Sequence, residues 1–315
     1  MLRSTRLAQG QRQLSPEVGS RLSALNSVGL AALMELTSGR PEVVVGLIDG
    51  PVARDHPDLT SDHVREVPGE FKSACSRFDS AACQHGTFVA GILSAKRSCP
   101  APAICPGCTL LVRSVFPETS FASGDMPSAS PEELAEAILD CVNAGAHVLN
   151  ISAAIAQPST KSERALAQSL DEAARRGVIV VAAAGNQGTL GSTAITRHPW
   201  VIPVVAYDSA GRPLLQSNLG GSIGRRGVGA PGDRITSLGV TGKPLTSGGT
   251  SAAAPFVTGA VALLRSEFPN AAAAVVKLAI APDRFWRRAT VVPPLLNAWG
   301  AYQSLSTTHA RKQLP

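Results

Sequence analysis

The chain has 315 residues, 44% of them hydrophobic, with 29 glycines and only 4% aromatics, a composition that builds a tightly packed core and excludes a disordered or fibrous chain. Its net charge of +6 comes from 29 Lys and Arg against 23 Asp and Glu, scattered apart from Arg225-Arg226, Arg284 with Arg287-Arg288, and Arg311-Lys312. Clustered basic residues with interleaved aromatics are missing, so the charge reads as solvated surface with no nucleic-acid partner. No apolar segment approaches the roughly 18–20 residues that cross a bilayer, and the basic start MLRSTRLAQGQRQLSPE lacks the apolar stretch of a secretory signal; a cytoplasmic protein with no membrane partner is expected.

Ser15-Pro16-Glu17 reads as a helix start, and Leu22, Leu25, Val28, Leu33 and Leu36 form an irregular apolar stripe ending near Gly39, which predicts a helical arm over 1–41. Val43 to Ile48 is a β-branched run without polar alternation, as in a strand covered on both faces, and it ends at Asp49-Gly50. Residues 51–84 are polar and turn-rich. His85 then opens a small, apolar helix over Gly86 to Ser94. A Pro and Cys loop from Cys99 to Cys108 leads to a second buried strand, Leu110 to Val115, and Pro117 to Ala129 reads as a surface loop.

Ser130 and Glu133 form a capping box with Pro131 at the first helical position, and Leu134, Ile138 and Cys141 share one face before Gly145 stops the helix. A strand at His147 to Ile151, a helix at Lys161 to Arg176 and strands at Val178 to Ala183 and Val201 to Val205 follow. Shorter strands and loops fill Asp208 to Gly249. Ser251 to Phe268 is a buried helix with Val257, Val261 and Leu264 at helical spacing. The alternation of strands and helices predicts an α/β fold, a mainly parallel sheet with helices on both faces. The body is expected over 42–302, with a polar tail over 303–315.

Ligands of such sheets lie beyond the carboxyl ends of the strands. Asp49 follows the first strand, Asn186 follows VIVVAA, and Ser251 opens a helix within GGTSAAAPF, among residues with almost no side chain. A serine becomes nucleophilic when a base takes its proton, and the base works best when a carboxylate fixes its tautomer. Asp49, His85 and Ser251 supply these three types. Alone, each would be an ordinary cap or turn residue; together and in context they point to chemistry.

VVVGLIDG, QHGTFVAGI, AAAGNQG and SGGTSAAAPFVTGAVALL resemble, in that order, the Asp, His, Asn and Ser blocks of the subtilisin-like serine proteases. The order Asp, His, Ser also separates that family from other triad enzymes. The resemblance implies a three-layer subtilisin-like fold, Ser251 as nucleophile, His85 as general base, Asp49 as its orienting carboxylate and Asn186 as an oxyanion donor. No cofactor and no metal site is read from the residues, and no calcium loop of the sort that many secreted subtilisins carry stands out. The resemblance also implies substrate contacts at Ser152, Ala153 and Ala154, where the family has Ser-Leu-Gly, and at Ala183, Ala184 and Gly185. Asp49-Gly50-Pro51-Val52 with His56-Pro57 is closer to the maturation proteases of cyanobactin-type ribosomal peptides, which implies a precursor peptide as partner.

Two positions depart from the family's GTSMAAPHV: Ala252 stands for Met and Phe256 for His. The roughly 42 residues before the first strand lead one to expect no inhibitory propeptide, and no module of the macrocyclising members is visible, which favours leader-side cleavage. An esterase reading would pair Ser251 with Asp283 and His309; a second alternative is a catalytically silent peptide binder. Of six cysteines, Cys99, Cys105 and Cys108 form a C-x5-C-x2-C group open to zinc, disulfide or thiol readings together with Cys75 and Cys83, while Cys141 sits on an apolar helix face. Stable disulfides would sit uneasily with a cytosolic location.

Overall fold

Apolar runs that lack polar alternation become strands buried on both faces. In a computed structural model describing residues 16–59, 61–118, 128–152, 160–281 and 290–312, the elements in chain order begin with α1 (Pro16–Ser27), α2 (Leu30–Leu36), β1 (Val44–Asp49), β2 (Val64–Glu66), α3 (Ala81–Ser94) and β3 (Thr109–Ser114). Then come α4 (Pro131–Asn143), β4 (Val148–Ile151), α5 (Thr160–Arg175), β5 (Ile179–Ala183), α6 (Ala194–Arg197), β6 (Val201–Tyr207), α7 (Gly221–Arg226) and β7 (Val228–Pro231). A hairpin of β8 (Ile235–Leu238) and β9 (Pro244–Ser247) precedes α8 (Thr250–Glu267), α9 (Ala273–Ile280) and α10 (Ala298–Lys312).

Seven strands form one sheet in the order β2-β3-β1-β4-β5-β6-β7, and every pairing in it is parallel. Side chains alternate between two cores. Val45 and Leu47 of β1, Leu110 and Val112 of β3, and Ile179 and Val181 of β5 pack with α3 and α8. Ile48, Leu111, Val180 and Ala182 point the other way, onto α4 and α5. The chain leaves β1 for β2 and β3 on one side and later returns to β4 on the other, so the crevice between the carboxyl ends of β1 and β4 is the switch point where such sheets bind ligands.

The capping box at Ser130 and Glu133 forms as read from the sequence, with Pro131 in the first turn. Other boundaries moved. β2, at the sheet edge, lies in the segment read as turns: three residues with one buried side chain give no periodic signal. α3 starts at Ala81, where the Ser80 hydroxyl accepts the Cys83 N–H at 3.4 Å, so His85 lies in its second turn and not at its opening. Residues 303–312, expected as a polar tail, continue α10: Leu305 is buried, Phe268 packs on Tyr302 and His309 with ring centroids 5.4 and 6.1 Å apart, and Trp299 stacks on Tyr302 at 5.1 Å.

The irregular stripe of the N-terminal arm belongs to two helices, and Leu25, Val28, Leu30 and Leu33 enter the same core as α3 and α8. Two arginines fasten it. Arg21 Nη1 donates to the carbonyls of Arg97, Cys99 and Ala101, the shortest at 2.7 Å. Arg97 reaches back to Met34 at 2.7 Å, Thr37 at 2.9 Å and Ile104 at 3.2 Å. No described helix is long and apolar enough to cross a membrane. Arg97→Ala strips three carbonyls of a charged donor, and urea unfolding should show a loss of about 2 kcal/mol at an unchanged denaturant slope.

Candidate active site

Asp49 is the last residue of β1 and fully buried, on the sheet face that carries α3. The approach of α3 depends on glycine: a Cβ at Gly86 would collide with the Gly50 carbonyl oxygen, and the next residue, Thr87, accepts the Ala53 N–H at 2.9 Å. This contact brings His85 Nδ1 to 2.7 Å from Asp49 Oδ1, with the imidazole 15% exposed. Asp49 Oδ1 also accepts the Gly50 N–H at 2.6 Å. A carboxylate on Nδ1 fixes the tautomer that leaves Nε2 as proton acceptor.

Ser251 lies in the first turn of α8 and is half-buried, whereas Thr250 and Ala252 beside it are buried. Gly249, just before the helix, has φ 106, a backbone state that disfavours side chains, and a Cβ there would press on the Asn186 amide. Asn186 Oδ1 accepts both the Thr250 N–H at 2.9 Å and the Thr250 hydroxyl at 3.0 Å. Asn186 itself is exposed. The Ala252 and Ala253 N–H groups go to the Gly249 carbonyl, and among the described residues no acceptor takes the Ser251 N–H. The Ser251 N–H and Asn186 Nδ2 thus both stand without a hydrogen-bond acceptor among the described residues. Among the described residues no hydrogen bond joins Ser251 Oγ to His85.

Residues 40–283 match the family description Peptidase S8, subtilase family. The chain belongs to the subtilase family. It is 31% identical over 243 residues to Subtilisin DY of Bacillus licheniformis, covering 75% of this chain and 81% of the relative. Its structure resembles a mutant of the protease domain of PatA, with 29% identity, a TM-score of 0.74 and coverage of 86% of this chain and 97% of the other. It also resembles the prenylagaramide maturation protease PagA, with 28% identity, a TM-score of 0.75 and coverage of 88% and 98%. Among the curated relatives it matches, the chain spans 41% to 81% of the relative's own length. The chain therefore has the subtilisin-like fold and the family relation expected from its sequence.

Of the residues expected to contact substrate, Ala153 and Ala154 lie outside the described residues. Ser152 follows β4, but its hydroxyl turns to α8 and donates to the Ser251 carbonyl at 3.3 Å. Ala183 ends β5, half-buried. The next two residues are occupied internally: Ala184 N–H goes to Val204 and its carbonyl accepts from Asn218 Nδ2 at 3.2 Å, while Gly185 donates to Thr250 Oγ1 at 3.2 Å and accepts from the Asn218 N–H. Asn218 Oδ1 further accepts from Gln187 and Thr189. Thr250 and Asn218, which hold the Asn186 loop of the subtilase, went unnoticed in the sequence; Thr250 had a signal in its place beside Ser251, and Asn218 had none. The esterase alternative loses its geometry: Asp283 is outside the described residues, and His309 packs on Phe268, about 25 Å along α8 from Ser251.

Cys75 and Cys83 form a disulfide, with Glu118 Oε1 3.2 Å from the Cys83 sulfur. These three are the potential metal ligands that converge among the described residues, and there the two sulfurs are bonded to each other. Cys99, Cys105, Cys108 and Cys141 are buried and unbridged. The Cys108 hydrogen bond and burial push the Cys105 thiol well above its ordinary value, and burial pushes Cys141 up to about 12, as suits a core residue.

Burial is the largest influence on His85 and by itself lowers its pKa, yet the charge and hydrogen bond of Asp49 together outweigh it and hold the imidazole above its ordinary 6.5. The folded subtilase binds this proton more tightly than the unfolded chain. The pair therefore adds stability that is fully present below the ordinary value and lost as pH rises through the raised one. An NMR titration of the His85 ring should show a midpoint above 6.5, and Asp49→Asn should bring it below that value, because burial then acts unopposed.

Proposed function

We propose that this subtilase is a serine endopeptidase that cuts a ribosomally made precursor peptide at its leader or recognition sequence, using Asp49, His85 and Ser251 as its triad. The observation that carries the triad is the 2.7 Å contact between the buried Asp49 carboxylate and His85 Nδ1. Ser251 Oγ attacks the scissile carbonyl while His85 Nε2 takes its proton, and Asp49 stabilises the imidazolium. Asn186 Nδ2 and the Ser251 N–H receive the oxyanion. His85 returns the proton to the leaving amine, and water then enters by the same relay to release the acyl group from Ser251.

The precursor substrate is supported by the likeness to the PagA maturation protease and the PatA protease domain, which extends over nearly the whole of both. The same reading places enzyme and substrate in the cytoplasm, where such a precursor is made. It assigns the peptidase unit to 42–302, flanked by the N-terminal helical arm over 1–41 and the C-terminal segment over 303–315. Peptide contacts then fall to the segments after β4 and β5, through Ser152 to Ala154 and Ala183 to Gly185.

A fluorophosphonate should label the wild-type protein and leave Ser251→Ala unlabelled. Asn186→Ala should lower turnover by on the order of 10²–10³, a magnitude known from a subtilisin. Activity should fall as pH drops through the raised His85 value, with the acid limb centred above 6.5. Mass spectrometry of a leader–core peptide should show one cut beside the core. Cuts at many unrelated bonds would identify a general peptidase, and folded protein that takes no label would leave a silent peptide binder.

A further inference from the structure

In a helix, the carbonyl of each residue accepts from the N–H four positions on. For Ser251 that position is Pro255, which has no N–H. The carbonyl of the residue proposed as nucleophile is therefore orphaned inside a buried helix, and a side chain takes up the vacancy. Ser152, only 5% exposed, donates its single hydroxyl proton to that carbonyl at 3.3 Å. The Ser152 oxygen accepts from Asn150 Nδ2 at 2.8 Å, and Asn150 Oδ1 accepts from the Thr258 hydroxyl at 2.8 Å. Asn150 and Thr258 are fully buried.

Thr258 lies two turns beyond Ser251 on the same side of α8. The relay thus leaves α8 at Ser251, passes through the end of β4, and returns to α8 at Thr258. On the other flank of the serine, the Thr250 N–H is fixed to Asn186. Ser251 is thus held at its own carbonyl by Ser152 and, one peptide unit earlier, through the Thr250 N–H by Asn186, so the backbone frame from which its Oγ and N–H project is set by side chains of β4 and of the Asn186 loop.

We infer that Asn150 and Ser152 are positioning residues for Ser251, with the Ser152 hydroxyl replacing the helical N–H that Pro255 lacks. The inference rests on the assignment of Ser251 as nucleophile. It gives Ser152 a side-chain role distinct from any backbone contact with a peptide. It also ties the segment after β4 to the serine, so that the two keep one register.

The test compares fluorophosphonate labelling rates and steady-state constants of the wild type with Ser152→Ala, Ser152→Thr and Thr258→Val. Ser152→Ala should lower the labelling rate and kcat about 10- to 100-fold, the range expected for a nucleophile displaced by up to about 1 Å, with KM nearly unchanged. The acid limb should stay in place, since Asp49 and His85 are untouched, and Ser152→Thr, which keeps the hydroxyl, should restore most of the rate. Thr258→Val should give a smaller loss in the same parameters, and the double variant should be no worse than Ser152→Ala alone. If Ser152→Ala does not fold, the Thr258→Val labelling rate decides. Wild-type labelling with equal rates in the folded variants, or a loss confined to thermal stability, overturns this inference alone; wild-type protein that does not label overturns the assignment of Ser251.

Discussion

The site depends on the burial of α8 on all its sides. Of its eighteen residues only Ser251, Arg265 and Glu267 are not buried, and the small residues Ala252, Ala253, Ala254, Gly259, Ala260 and Ala262 let the sheet, α3 and the loop before β3 approach its backbone. A Cβ at Gly259, for example, would collide with Ile104. A helix apolar around its whole circumference belongs in a core, and here its one open polar residue in the first turn faces the carboxyl edge of the sheet. The helix carries the serine, and its packing decides where the serine stands.

Much of this was legible in the chain. Strands covered on both faces have to be continuous apolar runs, so VVVGLI and VIVVAA declared both their type and the parallel sheet. Ser130 and Glu133 announced a helix through a contact only three residues long. The Asp49, His85, Asn186 and Ser251 blocks carried the family because each is a compact local motif. What escaped notice depends on partners far away in sequence. Thr258 meets Asn150 across 108 positions, Asn218 meets Ala184 across 34, and Arg21 meets Cys99 across 78. None of these polar residues has a period or a neighbour that reveals its partner. The same reason hid the length of α10, whose polar face obscured the anchoring by Leu305 and Phe268.

The replacements within GGTSAAAPF acquire a physical sense from the packing. Phe256 is among the largest fully buried side chains and serves the core shared by α3 and the arm. Ala252, also buried, leaves little bulk directly behind the serine. The Cys75–Cys83 bridge ties the loop that pairs with Val52, just after Asp49, to the first turn of the helix carrying His85. Support for Asp49 and His85 thus comes from one small neighbourhood, and support for Ser251 from another, at β4 and β5.

The distribution of these groups along the chain has a consequence in time. During synthesis from the N-terminus, Asp49, His85 and Asn186 emerge before Ser251, and the pocket that α8 must fill is lined by strands already made. The helix packs on β4 to β7, all of which precede it in the chain, and Ser251 sits in its first turn. A partly made chain has Asp49, His85 and Asn186 but no seated Ser251. Completion of the fold is itself the event that would bring the four proposed partners together.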